Sequence, residues 1–180
     1  MRRAVFLDRD GVLNEPIVRN GKPYPPGRPE DLVMCAGAPE ALAELRRYGF
    51  SLVCVTNQPD IARGTISNDV VDDINARLVQ TLPLDAIFVC RHDDADDCAC
   101  RKPRPGLLLQ AAAELGLDLD TSYLVGDRWR DIDAGAAAHC RTVLIDRGYD
   151  ERASTMPADA RVPSIAAAAA WIIADAALQK

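Results

Sequence analysis

The sequence lacks a long hydrophobic run, an excess of basic residues, an internal repeat and a low-complexity linker. Without a long apolar stretch, neither a membrane span nor a signal peptide is predicted. The formal net charge of −6 argues against non-specific nucleic-acid binding, which depends on a basic surface. We therefore expect a cytoplasmic protein that has no membrane or nucleic-acid partner.

The composition is that of an ordinary globular protein. Hydrophobic residues make up 48% of the chain and charged residues 27%. A length of 180 residues suits one domain with a real core, and no composition shift marks a boundary inside it. We expect a single domain over residues 1–180 and a monomer.

The cysteines do not form the pattern of a secreted disulfide framework, which would space pairs along a short chain that lacks its own core. Three of the six lie close together beside His92, and the other three are scattered. The scattered residues Cys35, Cys54 and Cys140 are predicted to be small apolar side chains in or near the core. The clustered three indicate a metal site.

Short apolar runs alternate with longer amphipathic stretches along the chain. The runs predict strands at 4–7, 52–55, 86–89, 123–125 and 142–145, and the stretches predict helices at 38–48, 67–82, 106–116, 130–138 and 164–178. This alternation predicts an α/β fold of the Rossmann-like, three-layer α/β/α type with a mainly parallel sheet. The proline-rich segment 15–37 is predicted to be an ordered irregular loop, and 147–163 a loop with at most a short strand.

The second helix has a clear predicted start and a predicted buried face. Ser67 is a good N-cap residue. The apolar residues that follow at helical spacing are expected to be buried, namely Val70, Val71, Ile74, Leu78 and Val79.

Polar motifs follow three of the predicted strands directly. They are Asp8-Arg9-Asp10-Gly11, Thr56-Asn57-Gln58, and Gly126-Asp127 with Asp131 four residues further on. Because the carboxyl ends of parallel strands meet at one edge of a sheet, the three motifs are expected to converge there.

The carboxylates of these motifs indicate a magnesium site. Asp8 and Asp10 point the same way on an extended chain, and Asp127 would bring a third carboxylate to the same place. Oxygen ligands with room for water and phosphate suit Mg²⁺. An isolated Asp-x-Asp-Gly is more often a turn, and a calcium loop does not fit because Val12 and Arg19 occupy ligand positions.

The same residues suit phosphoryl transfer through a covalent intermediate. A carboxylate can attack phosphorus, and a second carboxyl group can protonate the leaving oxygen and later deprotonate water. Thr56 and Asn57 could bind the phosphate. Lys102 is the candidate cation, although a solvent-exposed surface position is the commonest one for a lysine.

Four motifs together resemble the haloacid dehalogenase (HAD) superfamily of phosphatases. They are Asp8-Arg9-Asp10-Gly11-Val12-Leu13-Asn14, Val55-Thr56-Asn57-Gln58, Arg101-Lys102-Pro103-x-Pro105-Gly106 and Val125-Gly126-Asp127. Within it the chain is most similar to the D-glycero-D-manno-heptose-1,7-bisphosphate 7-phosphatases and the related histidinol-phosphate phosphatases. Ile61-Ala62-Arg63-Gly64 and the Cys/His cluster narrow the resemblance to this subgroup.

The resemblance implies a role for each matching residue. Asp8 would be the nucleophile and Asp10 the general acid and base, with Mg²⁺ held by Asp8, the backbone carbonyl of Asp10, and Asp127. Thr56 and Lys102 would bind the transferring phosphoryl group. Arg101 would contact the rest of the substrate, with help from Asn57 and Arg128. Asp131 fits equally a role beside the metal ligands and that of an acidic residue at a helix N-terminus.

Cys90, His92, Cys98 and Cys100 form a predicted zinc set. Three thiolates and one imidazole are a complete tetrahedral ligand set, so the metal would be structural. The alternative is free thiols on an acidic loop. Since Arg101 and Lys102 follow the last cysteine, zinc would fix two cations beside the active site.

The substrate is less well defined than the reaction. No insertion is long enough for a separate cap domain, so loops alone would cover the site. Arg19, Lys22 and Arg28 could bind a second phosphate or be solvated loop charges. Pro59-Asp60 departs from the Ser-Gly that is usual in the subgroup.

Four functions remain open at this point. We expect removal of the 7-phosphate of a heptose 1,7-bisphosphate in nucleotide-activated heptose synthesis. A histidinol-phosphate or broader sugar-phosphate phosphatase is the enzyme alternative. A receiver-type signalling domain and a catalytically idle zinc-loop scaffold are the others; a receiver would carry its acceptor aspartate on a later strand.

Overall fold

A six-stranded parallel sheet forms the centre of the structure, a computed structural model that describes residues 2–178. Its strand order is β5-β4-β1-β6-β7-β8. The strands are β1 (Arg2–Leu7), β4 (Ser51–Asn57), β5 (Ala86–Cys90), β6 (Leu117–Gly126), β7 (Arg141–Ile145) and β8 (Ala160–Val162). A separate antiparallel pair consists of β2 (Ile17–Arg19) and β3 (Lys22–Tyr24).

Five α-helices within the described residues cover the two faces of the sheet, which confirms the predicted three-layer α/β/α fold. They are α1 (Ala38–Arg47), α2 (Asn68–Thr81), α3 (Gly106–Leu115), α4 (Trp129–Ala137) and α5 (Ile165–Leu178). Helices α1, α2 and α5 pack on one face, and α3 and α4 on the other. None of the helices between residues 2 and 178 is long and apolar enough to cross a lipid bilayer.

Alternating residues of β1 explain why a continuous apolar run forms this central strand. Val5 and Leu7 pack toward α1, α2 and α5, whereas Ala4 and Phe6 pack toward α3 and α4. A strand that is buried on both faces has no solvent side, so it needs no polar residue at every second position. The other short apolar runs are strands for the same reason.

Helix α2 begins as predicted and buries most of the predicted face: Val71, Ile74 and Leu78 are buried, and Val70 is partly buried against the core. The Ser67 hydroxyl accepts a hydrogen bond from the Val70 backbone N–H at 3.3 Å, which confirms the N-cap. The buried positions are Val71, Ile74, Asn75 and Leu78. The prediction for Val79 is wrong, because this side chain lies beyond the edge of that stripe and is 50% exposed.

Two further boundaries were not predicted. Strand β6 begins at Leu117 rather than near 123, because its polar first half pairs with Arg2 and Arg3. The segment 15–37 is not wholly irregular, since it contains the β2–β3 hairpin and a short 3-10 helix over Pro29–Asp31. The hairpin turns at Asn20-Gly21, both of which have positive φ, a turn type that this dipeptide favours.

Candidate active site

Three parallel strands bring the polar motifs to one edge of the sheet. Asp8 follows β1, Thr56 and Asn57 end β4, and Asp127 follows β6. The structure groups Asp8, Asp127 and Asp131 so that one carboxylate oxygen of each lies within 4.8 Å of the others. The expected convergence is therefore present in the geometry.

Lys102 lies inside this carboxylate group rather than on the surface. Its Nζ lies 2.7 Å from Asp8 Oδ1 and 2.6 Å from Asp131 Oδ1, and it donates to the Val55 carbonyl oxygen at 2.8 Å. Burial by itself would lower the pKa of Lys102, but the two carboxylates outweigh that effect and raise the pKa above its ordinary value. The ammonium group is thus charged, and the surface-lysine alternative does not hold.

One ammonium group does not balance three buried carboxylates. Burial raises the pKa of Asp8 to about 6, although Lys102 pulls it down. Burial, together with the charges of Asp8 and Asp131, raises the pKa of Asp127 well above its usual range. Asp127 Oδ1 is buried and has no hydrogen-bond partner among residues 2–178. Crowded carboxylates with an unpartnered oxygen are the donor set that a divalent cation fits.

Asp131 combines the two roles between which the sequence could not choose. Its Oδ2 accepts a hydrogen bond from the Arg128 backbone N–H at 3.1 Å, at the start of α4, while Oδ1 contacts Lys102. Both oxygens are therefore engaged by protein donors. The carboxylate packs so tightly on Gly126 that a Cβ there would lie 2.1 Å from the Asp131 Cβ.

Asp10 is held by three neighbours that belong to the sequence motifs but for which no role was predicted. Gln58 Nε2 donates to Asp10 Oδ2 at 2.8 Å, and Asn14 Nδ2 donates to Oδ1 at 3.0 Å. Arg9 contacts Oδ2 at 3.1 Å and is wholly buried, with its second contact to Asn75 Oδ1 on α2. A buried arginine between two candidate catalytic aspartates has no signal in a single sequence.

Asn57 and Thr56 are also tied into the site. Asn57 Nδ2 donates to the Lys102 carbonyl oxygen at 3.0 Å, and Asn57 Oδ1 accepts from the Lys102 backbone N–H at 3.1 Å. Asn57 thus clamps the lysine backbone, and its expected contact with phosphate stays a prediction. The Thr56 hydroxyl is buried and accepts from Gln58 Nε2 at 2.9 Å.

A cleft of about 390 Å³ opens above these residues. Of the residues expected to bind substrate, Lys22, Asn57, Arg101 and Arg128 line it. Arg19 is not among the lining residues; it is exposed on β2 and lies over the Tyr24 ring at 5.7 Å. The expected contact of Arg19 with a second phosphate therefore stays a prediction, whereas Lys22 of the same hairpin lines the cleft.

Further charged residues in the cleft were not selected from the sequence for this role, namely Arg63, Asp94 and Arg130. Asp94 Oδ1 accepts from Arg101 Nε at 2.8 Å and from Arg130 at 3.1 Å. Arg63 pairs with Asp93 at 2.7 Å. The acidic loop therefore holds three arginine side chains along the cleft wall.

The cysteine cluster lies next to the cleft. The sulfur of Cys100 is 3.2 Å from that of Cys90 and 3.4 Å from that of Cys98, and His92 Nδ1 is 3.3 Å from the Cys100 sulfur. These distances exceed a disulfide bond of about 2.05 Å. Donors around a tetrahedral ion bound at 2.0–2.3 Å lie roughly 3.3–3.8 Å apart; the Cys98 and His92 distances fall in this range, and the Cys90 distance lies just below it. The four ligand atoms could therefore hold one metal ion.

The fold and the aspartate-lysine site together define a HAD-like hydrolase. A family model described as HAD-hydrolase-like matches residues 99–175. The D-glycero-beta-D-manno-heptose-1,7-bisphosphate 7-phosphatase of Pasteurella multocida strain Pm70 is 39% identical, over 82% of this chain and 84% of the relative. The chain therefore belongs to the family of these phosphatases within the HAD-like hydrolases.

Two other relatives agree with this assignment. The protein of the same name from Escherichia coli strain K12 is 35% identical, over 80% of this chain and 78% of the relative. The crystal structure of D,D-heptose 1,7-bisphosphate phosphatase from B. bronchiseptica, complexed with magnesium and phosphate, superposes with a TM-score of 0.77. It is 29% identical and covers 96% of this chain and 99% of that chain.

Proposed function

We propose that this protein is a Mg²⁺-dependent phosphatase that removes the 7-phosphate of D-glycero-D-manno-heptose 1,7-bisphosphate in nucleotide-activated heptose synthesis. The observation that carries the proposal is the buried group of Asp8, Lys102, Asp127 and Asp131, of which Asp8, Lys102 and Asp131 line the cleft. The names of the relatives supply the substrate.

Asp8 is the nucleophile in this proposal. Its carboxylate attacks phosphorus, the bond from phosphorus to the sugar oxygen breaks, and Asp10 gives that oxygen a proton. Asp10 then takes a proton from water, whose oxygen attacks phosphorus and breaks the bond to Asp8. Inorganic phosphate leaves, and both carboxyl groups return to their starting states.

Different neighbouring residues position the two carboxyl groups for their separate roles. Lys102 contacts Asp8 and holds its carboxylate in place, while its positive charge favours the ionised nucleophile. Arg9, Asn14 and Gln58 fix Asp10 at the mouth of the cleft by hydrogen bonds to both its oxygens. Such preorganised contacts position reacting groups before the substrate arrives.

The magnesium site consists of Asp8, Asp127 and the backbone carbonyl of Asp10. Asp131 is left outside this set because both its oxygens are already engaged by Lys102 and the Arg128 backbone. When bound, the ion neutralises charge on the phosphoryl oxygens and on the crowded carboxylates. The unpartnered Asp127 Oδ1 supports this placement.

The second phosphate of the substrate needs its own cationic contacts. Arg63, Arg101 and Arg130 line the same cleft as the reacting carboxylates, and Lys22 lines it from the hairpin. We assign the second phosphate to this arginine group rather than to Arg19. Guanidinium groups suit the task because they bind phosphate oxygens in pairs.

The Cys90, His92, Cys98 and Cys100 set binds structural Zn²⁺ in this proposal. Four protein ligands leave no open coordination position for catalysis. The metal fixes the loop that carries Asp94, Arg101 and Lys102, and thereby fixes the wall of the cleft.

A substrate panel tests the proposed specificity. Initial rates would be measured with Mg²⁺ for both anomers of heptose 1,7-bisphosphate, histidinol phosphate and fructose 1,6-bisphosphate. The expected result is the highest kcat/KM for a heptose bisphosphate. A strong preference for histidinol phosphate would reject the substrate and keep the reaction type, and no Mg²⁺-dependent hydrolysis of any ester would reject both.

A further inference from the structure

The two oxygens of the Asp127 carboxylate have different surroundings. Oδ1 is buried, and no residue in the described part of the chain forms a hydrogen bond with it. Oδ2 accepts a hydrogen bond from the Tyr149 hydroxyl at 2.9 Å. Tyr149 comes from the loop after β7, a segment that the proposed reaction leaves without a role.

The backbone of Gly11 packs against the Asp127 carboxylate from a second side. A Cβ at this residue would lie 1.7 Å from Asp127 Oδ2, so the backbone of the Asp8–Gly11 turn touches the same oxygen as the tyrosine. Gly11 has φ of +92°, which a glycine adopts without strain. Oδ2 is thus enclosed by the Tyr149 hydroxyl and the Gly11 backbone.

The loop after β7 is itself anchored to that turn. Arg147 Nε donates to the Gly11 carbonyl oxygen at 3.0 Å, and Arg147 NH1 contacts Glu15 Oε2 at 2.6 Å. Tyr149 lies two residues further on. The phenol therefore projects from a loop segment whose distance to the Asp8–Gly11 turn is fixed.

We propose that Tyr149 is a positioning residue that occupies Asp127 Oδ2 and presents Oδ1 alone to the metal, which makes Asp127 a monodentate ligand and favours Mg²⁺ over Ca²⁺. The inference rests on the proposed magnesium site. Mg²⁺ demands near-octahedral geometry at short distances, whereas Ca²⁺ accepts more oxygens and bidentate carboxylates. A hydrogen bond that keeps Asp127 Oδ2 from the metal therefore favours binding of Mg²⁺, the smaller ion.

The test is metal binding to Tyr149→Phe, measured by isothermal titration calorimetry with Mg²⁺ and, separately, Ca²⁺. The phenyl ring keeps the packing of the loop and removes only the donor. Tyr123→Phe is the matched control, because its hydroxyl also donates to a carboxylate oxygen, that of Asp175 at 2.7 Å, on the far helix α5. Thermal melting in metal-free buffer compares the folding of the two variants.

The expected result is a Kd for Mg²⁺ raised roughly 10- to 100-fold in Tyr149→Phe, the usual effect of removing a partner that orients a metal ligand. The Kd for Ca²⁺ should stay the same or fall, so the preference for Mg²⁺ shrinks, while Tyr123→Phe binds both ions as the wild type does. An unchanged Mg²⁺ Kd and an unchanged preference in folded Tyr149→Phe would overturn the inference. So would a wild-type protein that binds no Mg²⁺.

The outcome is separable from that of the proposed function. A wild-type protein that binds Mg²⁺ through a Tyr149-dependent site but hydrolyses no phosphate ester would leave the inference standing and reject the activity. If the wild type is active but Tyr149→Phe binds both metal ions as the wild type does, the activity stands and the inference on Tyr149 is rejected.

Discussion

Replacing Lys102 by Met tests how much the ion pairs of Lys102 with Asp8 and Asp131 contribute to the free energy of unfolding. The change removes an ammonium group that lies 2.7 Å from Asp8 Oδ1 and 2.6 Å from Asp131 Oδ1, but keeps most of the apolar stem. Removing one partner of a buried ion pair costs about 3–5 kcal/mol, because the other charge stays buried without compensation. We expect a loss of free energy of unfolding of that size at pH 7 without Mg²⁺.

The pH dependence of this loss has a defined sign. Burial raises the folded-state pKa of Asp8 to about 6 despite the lysine, and removing the lysine raises it further. A group with a raised folded pKa contributes stability that is present at low pH and lost as the pH rises through that pKa. The variant should therefore lose less stability at pH 5, where Asp8 is protonated, than at pH 7.

The assay is equilibrium unfolding in guanidinium chloride at pH 5 and pH 7, in metal-free buffer. Lys22→Met is the matched control, since Lys22 is exposed on the hairpin and surface changes stay within about 0.5 kcal/mol. We also expect kcat to fall by roughly 10²- to 10³-fold in Lys102→Met, as when another preorganised donor is removed. A stability loss equal to that of Lys22→Met at both pH values would refute the reasoning.

Three further predictions follow from other parts of the site. Cys98→Ser should lose bound zinc and lower both the melting temperature and kcat/KM, and a folded zinc-free variant with unchanged kinetics would disprove the link between zinc loop and cleft. Asp94→Asn should lower KM for a bisphosphate several-fold at low salt, since it removes the carboxylate that neutralises Arg101 and Arg130; an equal or raised KM would contradict this. The metal-free wild type should lose stability as the pH rises from about 4 to 6. In this range Asp8 is ionised in the unfolded chain but still protonated in the folded protein, so ionisation favours unfolding. Thermal melts with and without Mg²⁺ check this, because the ion should remove the loss and a flat pH profile would contradict it.

The sheet and helices could be predicted because their signals are local and repeated. Short apolar runs such as Ala4–Leu7 suit a strand that is buried on both faces, and Ser67 marks a helix start by its own hydrogen bond. The β2–β3 hairpin had a readable signal in Asn20-Gly21, which the surrounding prolines obscured. Edge effects such as the exposure of Val79 depend on the exact rotation of a helix on the sheet.

The convergence of Asp8, Thr56 and Asp127 could be predicted because these residues lie at strand ends, and parallel strands bring those ends together. The residues that hold them could not. Gln58 reaches Asp10 from the end of β4, 48 residues away in the chain, and Tyr149 reaches Asp127 from a loop 22 residues away. Such contacts carry no spacing rule, since they depend on how distant loops pack.

The most direct test of the central claim follows phosphate release from heptose 1,7-bisphosphate by ³¹P NMR, with wild type and with Asp8→Asn. The account predicts that the wild type with Mg²⁺ loses the 7-phosphate signal and retains the 1-phosphate, and that Asp8→Asn, although folded, releases no phosphate. Turnover by Asp8→Asn at a rate near that of the wild type would contradict an aspartyl-phosphate intermediate at Asp8.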